Sequence, residues 1–170
     1  MLEIEAKARI NRKKIKSRLV ELGVKFLKRE KQEDIYFNHP TRDFAKSDEA
    51  LRIRRVGREF YLTYKGPKLD KLTKTREEHE VKISSFEEAK EILKKLKFRE
   101  VATIRKKREY YALENFVIAL DEVEGLGSFV EVEKKAGQYN PEEMTNFLKK
   151  LGIKERDFER RSYLEMLLAR

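Results

Sequence analysis

Three short runs carry residue types that could do chemistry: Glu3-x-Glu5-x-Lys7, Glu78-x-Glu80-x-Lys82 and Glu131-x-Glu133-x-Lys135. In each, carboxylates and a cation recur at every second position, the spacing that aligns them on one face of an extended strand. Clustered carboxylates with no histidine or cysteine beside them suit a hard cation, Mg²⁺ or Mn²⁺, which takes oxygen ligands and commonly keeps waters and substrate phosphates. Other alternating segments add same-face cations: Arg52 and Arg54 in ALRIRRV, Lys65 in EFYLTYKGP, Lys106 and Arg108 in TIRKKREYY. Guanidinium and ammonium groups suit phosphate oxygens, arginine through its bidentate fork. Carboxylates, a divalent metal and neighbouring cations together describe a triphosphate site.

The elements that must position these groups follow from periodicity. Leu2, Ile4 and Ala6 alternate with Glu3, Glu5 and Lys7, which reads as a strand with one apolar face. A helix follows, with Asn11 as its cap, Ile15, Leu19 and Leu22 at helical spacing, and Gly23 as its stop. The second copy precedes SFEEAKEILKKLKF, capped by Ser84 or Ser85, with Phe86, Ala89, Leu93 and Leu96 as an apolar stripe. After the third copy, Pro141 opens PEEMTNFLKKLG, with Met144, Leu148 and Leu151 on one face. Strand and then amphipathic helix therefore recur, as in a duplicated unit. Two further alternating runs, NFVIALDEVEG and LGSFVEVEKK, form a hairpin-like pair around Gly125 and Gly127. The count is about eight strands and three to four helices, an α+β chain.

The helices need an apolar surface, and the strands' apolar faces supply it, so the charged faces point away from them. About eight antiparallel strands close naturally into a barrel, which removes exposed edges. The expected architecture is an eight-stranded antiparallel closed β-barrel with helices packed outside. Its interior would carry Glu3, Glu5, Lys7, Arg52, Arg54, Lys65, Arg76, Glu78, Glu80, Lys82, Lys106, Arg108, Asp121, Glu131 and Glu133. Enclosing so many charges is costly unless they are paired, hydrated or bound to ions. The competing reading is a half-solvated sheet with salt-bridged outer charges.

Composition narrows the class. Lysine and arginine number 41 against 31 acids, for a formal net charge of +10, so anionic partners are expected. With no cysteine, disulfides, thiolate zinc sites and thiol nucleophiles are excluded. His39 and His79 do not form a metal pair: one falls in a loop, and the other alternates away from Glu78 and Glu80. The opening MLEIEAKARI has acids where a secretory leader has a basic region and an apolar run, and no stretch approaches ~20 apolar residues. A cytoplasmic location without membrane association is expected, and the 170 residues are expected to form one domain. Neither a P-loop nor a Gly-x-Gly-x-x-Gly motif is present.

The ordered blocks EIEAK, QEDIYFNHPTRDF, DEALRIRR, LTYKGP, TREEHEVKI, RKKREYY, LDEVEGLGSFVEVE and SYLEML resemble those of the CYTH superfamily, the triphosphate tunnel enzymes, over nearly the whole chain. The wording is most similar to the class IV adenylyl cyclase-like branch, with thiamine triphosphatases as relatives. The resemblance implies an eight-stranded tunnel that binds a triphosphate with Mg²⁺ or Mn²⁺. It implies metal ligation by Glu3, Glu5, Asp121, Glu131 and Glu133. Glu78 and Glu80 match acidic family positions and either reach a second metal or position Arg76. Lys7, Arg52, Arg54, Lys65 and Arg108 are implied as phosphate binders, with Lys106 as a helper. The basic residue before the C-terminal Ser-Tyr is Arg161 or its neighbour Arg160. The side chains implied to carry the chemistry are Glu3, Glu5, Lys7, Glu131 and Glu133.

Two reactions fit such a site. A cyclase would convert ATP to cyclic AMP and pyrophosphate; a triphosphatase would hydrolyse thiamine triphosphate or inorganic triphosphate. From a different class comes a non-catalytic polyphosphate- or RNA-binding module, although no RNA-recognition motif is present. The resemblance also implies a homodimer. For Tyr36, Phe37, Tyr110 and Tyr111, core packing is expected ahead of contact with a base.

Overall fold

The computed structural model describes residues 2–71, 73–134 and 140–170, with the side chains of Leu2, Glu3 and Pro141 excepted. The strands are β1 (Leu2–Glu3), β2 (Glu5–Arg9), β3 (Lys25–Asn38), β4 (Ala50–Val56), β5 (Glu59–Lys68), β6 (Arg76–Ile83), β7 (Arg99–Leu113), β8 (Phe116–Val123) and β9 (Gly127–Lys134). They form one sheet in the order β1-β6-β5-β4-β3-β7-β8-β9-β2, with every neighbouring pair antiparallel. The two ends of that order are pieces of a single N-terminal strand interrupted at Ile4. β1 pairs Glu3 with Arg76 on β6, while β2 pairs Glu5 with Glu133 on β9. The sheet thus returns on itself through its first strand, as an eight-stranded tunnel.

Alternation sorts the side chains as expected. Ala6, Ala8, Ile118, Leu120, Val130 and Val132 point outward into a core with Ile15, Leu19, Met144, Phe147, Leu148 and Leu151. Five of those last six come from α1 (Arg12–Glu21) and α3 (Pro141–Lys150), and Leu151 is the C-cap of α3. Helix α2 (Phe86–Lys95) packs Phe86 and Leu93 on Ile35, Phe37 and Ile53 of β3 and β4. Burying a side chain of this size contributes about 1.5–3 kcal/mol, so these faces hold the helices outside the sheet. The caps are local: Asn11 accepts from the Lys14 amide, Ser85 from Glu88, and Gly23 and Gly152 stop their helices at positive φ.

The fourth helix behaves differently. Helix α4 (Tyr163–Leu168) is fixed by a capping box between Ser162 and Glu165. It sends Tyr163 and Met166 against Tyr36, Ile104, Val123 and Phe129, which share the phase of the charged, inward-facing residues. Three helices pack outside, as expected, and α4 seals the inner surface. No helix among the described residues is long and apolar enough to cross a membrane.

Candidate active site in the tunnel

One cavity on the inner face is lined by seven cations, Arg52, Arg54, Lys65, Lys74, Arg76, Lys106 and Arg108, and two carboxylates, Glu5 and Glu131. Tyr36, Ala50, Ser162 and Tyr163 complete it. Strand pairing explains the convergence: Arg54 stands beside Asp34, Lys65 beside Glu78 and Arg108 beside Asp121 in register.

The cations are held by buried acids. Arg54 donates from Nε and Nη2 to the two oxygens of Asp34 at 2.6 and 2.7 Å, and Arg52 reaches the same carboxylate at 3.4 Å. Burial would raise the Asp34 carboxyl, but Arg54 and then Arg52 outweigh it and keep it far below the usual range. Arg108 donates to both oxygens of the fully buried Asp121, at 2.6 and 2.5 Å, and also to Glu131. Burial opposes the charge on Arg108, and Asp121 with Glu131 more than restores it. Lys65 pairs with Glu78 at 2.7 Å.

Tyr163 reaches into this network. Its hydroxyl donates to Asp121 at 2.7 Å, and burial, followed by Glu131 and Asp121, pushes its pKa well up, so it remains a donor. Its ring meets two lysine amines, Lys7 at 4.2 Å and Lys106 at 5.0 Å from the centroid. Burial, then Arg108, brings Lys106 down to about 7. Burial also lowers Lys7 well below its ordinary value, aided by Lys74, and its Nζ donates to the Arg161 carbonyl.

The structure therefore brings Glu5, Arg52, Arg54, Lys65, Arg76, Lys106, Arg108 and Glu131 to one cavity, with Lys7 and Asp121 packed against its wall. It leaves others aside. Glu133 is exposed at the end of β9. Glu80 accepts from the Thr63 hydroxyl at 2.8 Å and is 37 % exposed, while Lys82 pairs with Glu59 outside. The Arg161 guanidinium, expected to face the tunnel, instead pairs with Glu159 at 2.6 Å and is 56 % exposed; only its backbone carbonyl turns inward. Arg160 donates to the Asp70 carbonyl. The Glu3 side chain and Lys135 lie outside the described residues. Sequence reasoning assigned no role to Lys74, Asp34 or Tyr163. Lys74 keeps the phase of Arg76, Glu78 and Glu80, and Asp34 keeps that of Tyr36, so the signal was the same alternation carried further.

The donor set fits a hard cation. Glu5 and Glu131 converge from β2 and β9, and a cation already lies between them: the Lys74 ammonium, bonded to Glu5 and 3.1 Å from Glu131. Burial would raise Glu131, yet Lys74 and Arg108 bring it well below its usual range, leaving it ionised. Among the described residues no three acidic or imidazole side chains converge on one point.

The family profile for the CYTH domain matches residues 1–163. The chain belongs to the CYTH family. A candidate adenylate cyclase of Methanocaldococcus jannaschii is 50 % identical over 172 residues, spanning 98 % of each chain. The adenylate cyclase CyaB of Aeromonas hydrophila is 28 % identical over 141 residues, covering 78 % of this chain and 70 % of its own. A solved Pyrococcus horikoshii structure superposes with a TM-score of 0.90 at 44 % identity, covering 98 % of both chains. This CYTH chain thus shares its fold with a solved relative over nearly its whole length.

Proposed function

We propose that this CYTH protein is a cytoplasmic, divalent-metal-dependent enzyme acting on triphosphates, with conversion of ATP to cyclic AMP and pyrophosphate as its leading reaction. The observation that carries the reading is the single cavity lined by seven cations and two carboxylates. A wall on which cations outnumber carboxylates is complementary to a polyanion.

Arg52, Arg54, Lys106 and Arg108 would grip phosphate oxygens, the arginines with their forks pre-aimed by Asp34 and Asp121. Glu5 and Glu131, with Glu3 and Glu133 nearby in sequence, would hold Mg²⁺ or Mn²⁺. When bound, the ion would neutralise phosphoryl charge and acidify the attacking hydroxyl. In the cyclase reaction the ribose 3′-oxygen bonds to the α-phosphorus, the bond from that phosphorus to the bridging oxygen breaks, and pyrophosphate leaves with the electron pair. The proton from the 3′-hydroxyl goes to solvent, and the cations stabilise both the pentavalent phosphorus and the departing pyrophosphate.

An organic triphosphate is favoured by a second, largely apolar cavity of about 340 Å³ that meets the tunnel at Ala50, Arg76 and Ser162. Its walls come from Phe44 and Ala45 of the β3–β4 loop and Leu164 and Leu168 of α4. That size is within the range of small-molecule pockets and has room for a nucleobase.

The test incubates the purified protein with ATP, thiamine triphosphate or inorganic triphosphate, with Mg²⁺, Mn²⁺ or chelator, beside Glu131→Ala. Cyclic AMP and pyrophosphate, absent in the variant and with chelator, are expected. Phosphate release without cyclic product would move the reading to a triphosphatase, and binding without turnover to a polyphosphate-binding module.

A further inference from the structure

Lys74 belongs to none of the paired runs that mark the tunnel, yet the fold builds a position for it. The loop joining β5 to β6 is tied at its base by the Leu69 amide to the Thr75 carbonyl, 2.8 Å. Inside it, the Thr73 hydroxyl donates to Asp70 at 2.5 Å, and the Thr73 and Thr75 hydroxyls lie 2.7 Å apart, both threonines buried. Arg160 fastens the Asp70 carbonyl from outside at 2.6 Å. The Lys74 amide donates to the Glu5 carbonyl at 2.8 Å, pinning its backbone to β2. From that anchor the ammonium reaches both Glu5 and Glu131, and the side chain is 11 % exposed.

We propose that Lys74 is a tethered stand-in for the divalent cation: its ammonium holds Glu5 and Glu131 together until metal and triphosphate arrive, then moves onto the phosphate chain. The inference rests on the triphosphate reading above. It goes further by assigning Lys74 a positioning role that makes metal and substrate bind together. The geometry supports it in two ways. An ammonium and a divalent ion cannot share the same two carboxylates without strong like-charge repulsion. The released ammonium would also need only a swing of its four-carbon stem, because Lys74 lines the same cavity as Arg52, Arg54 and Arg108.

Opposite effects on the two ligands test this. Mn²⁺ binding without triphosphate, followed by loss of the free-ion electron paramagnetic resonance signal, should be about tenfold or more tighter in Lys74→Met and Lys74→Gln than in the natural protein. Binding of metal-free tripolyphosphate should weaken in both variants. A merely structural lysine would weaken both, so unchanged or weaker Mn²⁺ binding in either folded variant overturns the proposal. A second measurement needs no variant: acetylation of Lys74 by an amine-reactive reagent, read by mass spectrometry, should rise several-fold when saturating Mn²⁺ alone is added, because the ion takes both carboxylates from the ammonium. Unchanged or reduced labelling with Mn²⁺ alone also overturns it. If the natural protein binds neither Mn²⁺ nor tripolyphosphate, the triphosphate reading fails as well. If it binds both but the variants do not tighten Mn²⁺, only the role of Lys74 fails.

Discussion

Asp34 on β3 receives both prongs of the Arg54 guanidinium from β4 while also meeting Arg52, so one buried carboxylate sets the aim of two tunnel arginines. Replacing it with asparagine leaves two guanidinium groups facing each other in a dry wall. Asp34→Asn should lose about 3 kcal/mol of stability in denaturant unfolding, the scale for breaking a buried pair. Tripolyphosphate should restore more stability to this variant than to the natural protein, because phosphate oxygens replace the missing charge. Equal stabilisation of the two would mean that Arg52 and Arg54 do not meet phosphate.

Arg108 links Asp121 to Glu131, a role that needs a planar fork. Arg108→Lys keeps the charge and loses the two-pronged bond. Turnover should fall by about 100-fold or more, as when a preorganised donor is removed from a charge-stabilising site. Steady-state kinetics beside a melting curve would separate this loss from simple unfolding.

Outside the tunnel, Glu109 gathers Lys16 at 2.8 Å, Arg12 at 2.9 Å and Arg29 onto a carboxylate that is 3 % exposed. Burial would raise it, but hydrogen bonds from Lys16 and Tyr111 and the charge of Arg12 bring it down from 4.5 to about 2. A depressed carboxyl stabilises the fold above its unfolded pKa, and the contribution is lost as pH falls through the folded value. Glu109→Gln should therefore be less stable by about 2 kcal/mol at neutral pH. The gap should close between about pH 4.5 and pH 2, read from denaturant curves at stepped pH. A gap that persists unchanged at pH 2 would contradict the ionic account.

Filling the apolar cavity tests the organic part of the substrate. Ala45→Trp should weaken ATP binding by about tenfold, about 1.4 kcal/mol, and leave tripolyphosphate binding within about twofold. Titration calorimetry with both ligands checks it, and parallel losses would mean that the cavity does not receive the base.

Much of this was legible because a strand's period of two is unforgiving. Once Ala6 and Ala8 face helices, Glu5 and Lys7 must face the tunnel, and the same logic delivers Arg52, Arg54, Arg108 and Glu131. Lys74 escaped because its segment is a loop, even though it keeps the phase of Arg76. Between Arg160 and Arg161 the sequence leaves the choice open, because two adjacent arginines give no periodic signal; Glu159, two residues upstream, pairs with the Arg161 guanidinium. Nor could six residues of α4 reveal that they seal the inside of a barrel, since Tyr163 is placed by Asp121, far away in sequence. The break at Ile4 carries no glycine or proline to announce it.

That break has a consequence for folding. β1 pairs with β6 and β2 with β9, so the second ladder must wait for residues much later in the sequence than the first. Contacts of such long sequence separation are slow to close. The β2–β9 ladder, which carries Glu5 and Glu131 to one another, is the one that spans the greater separation.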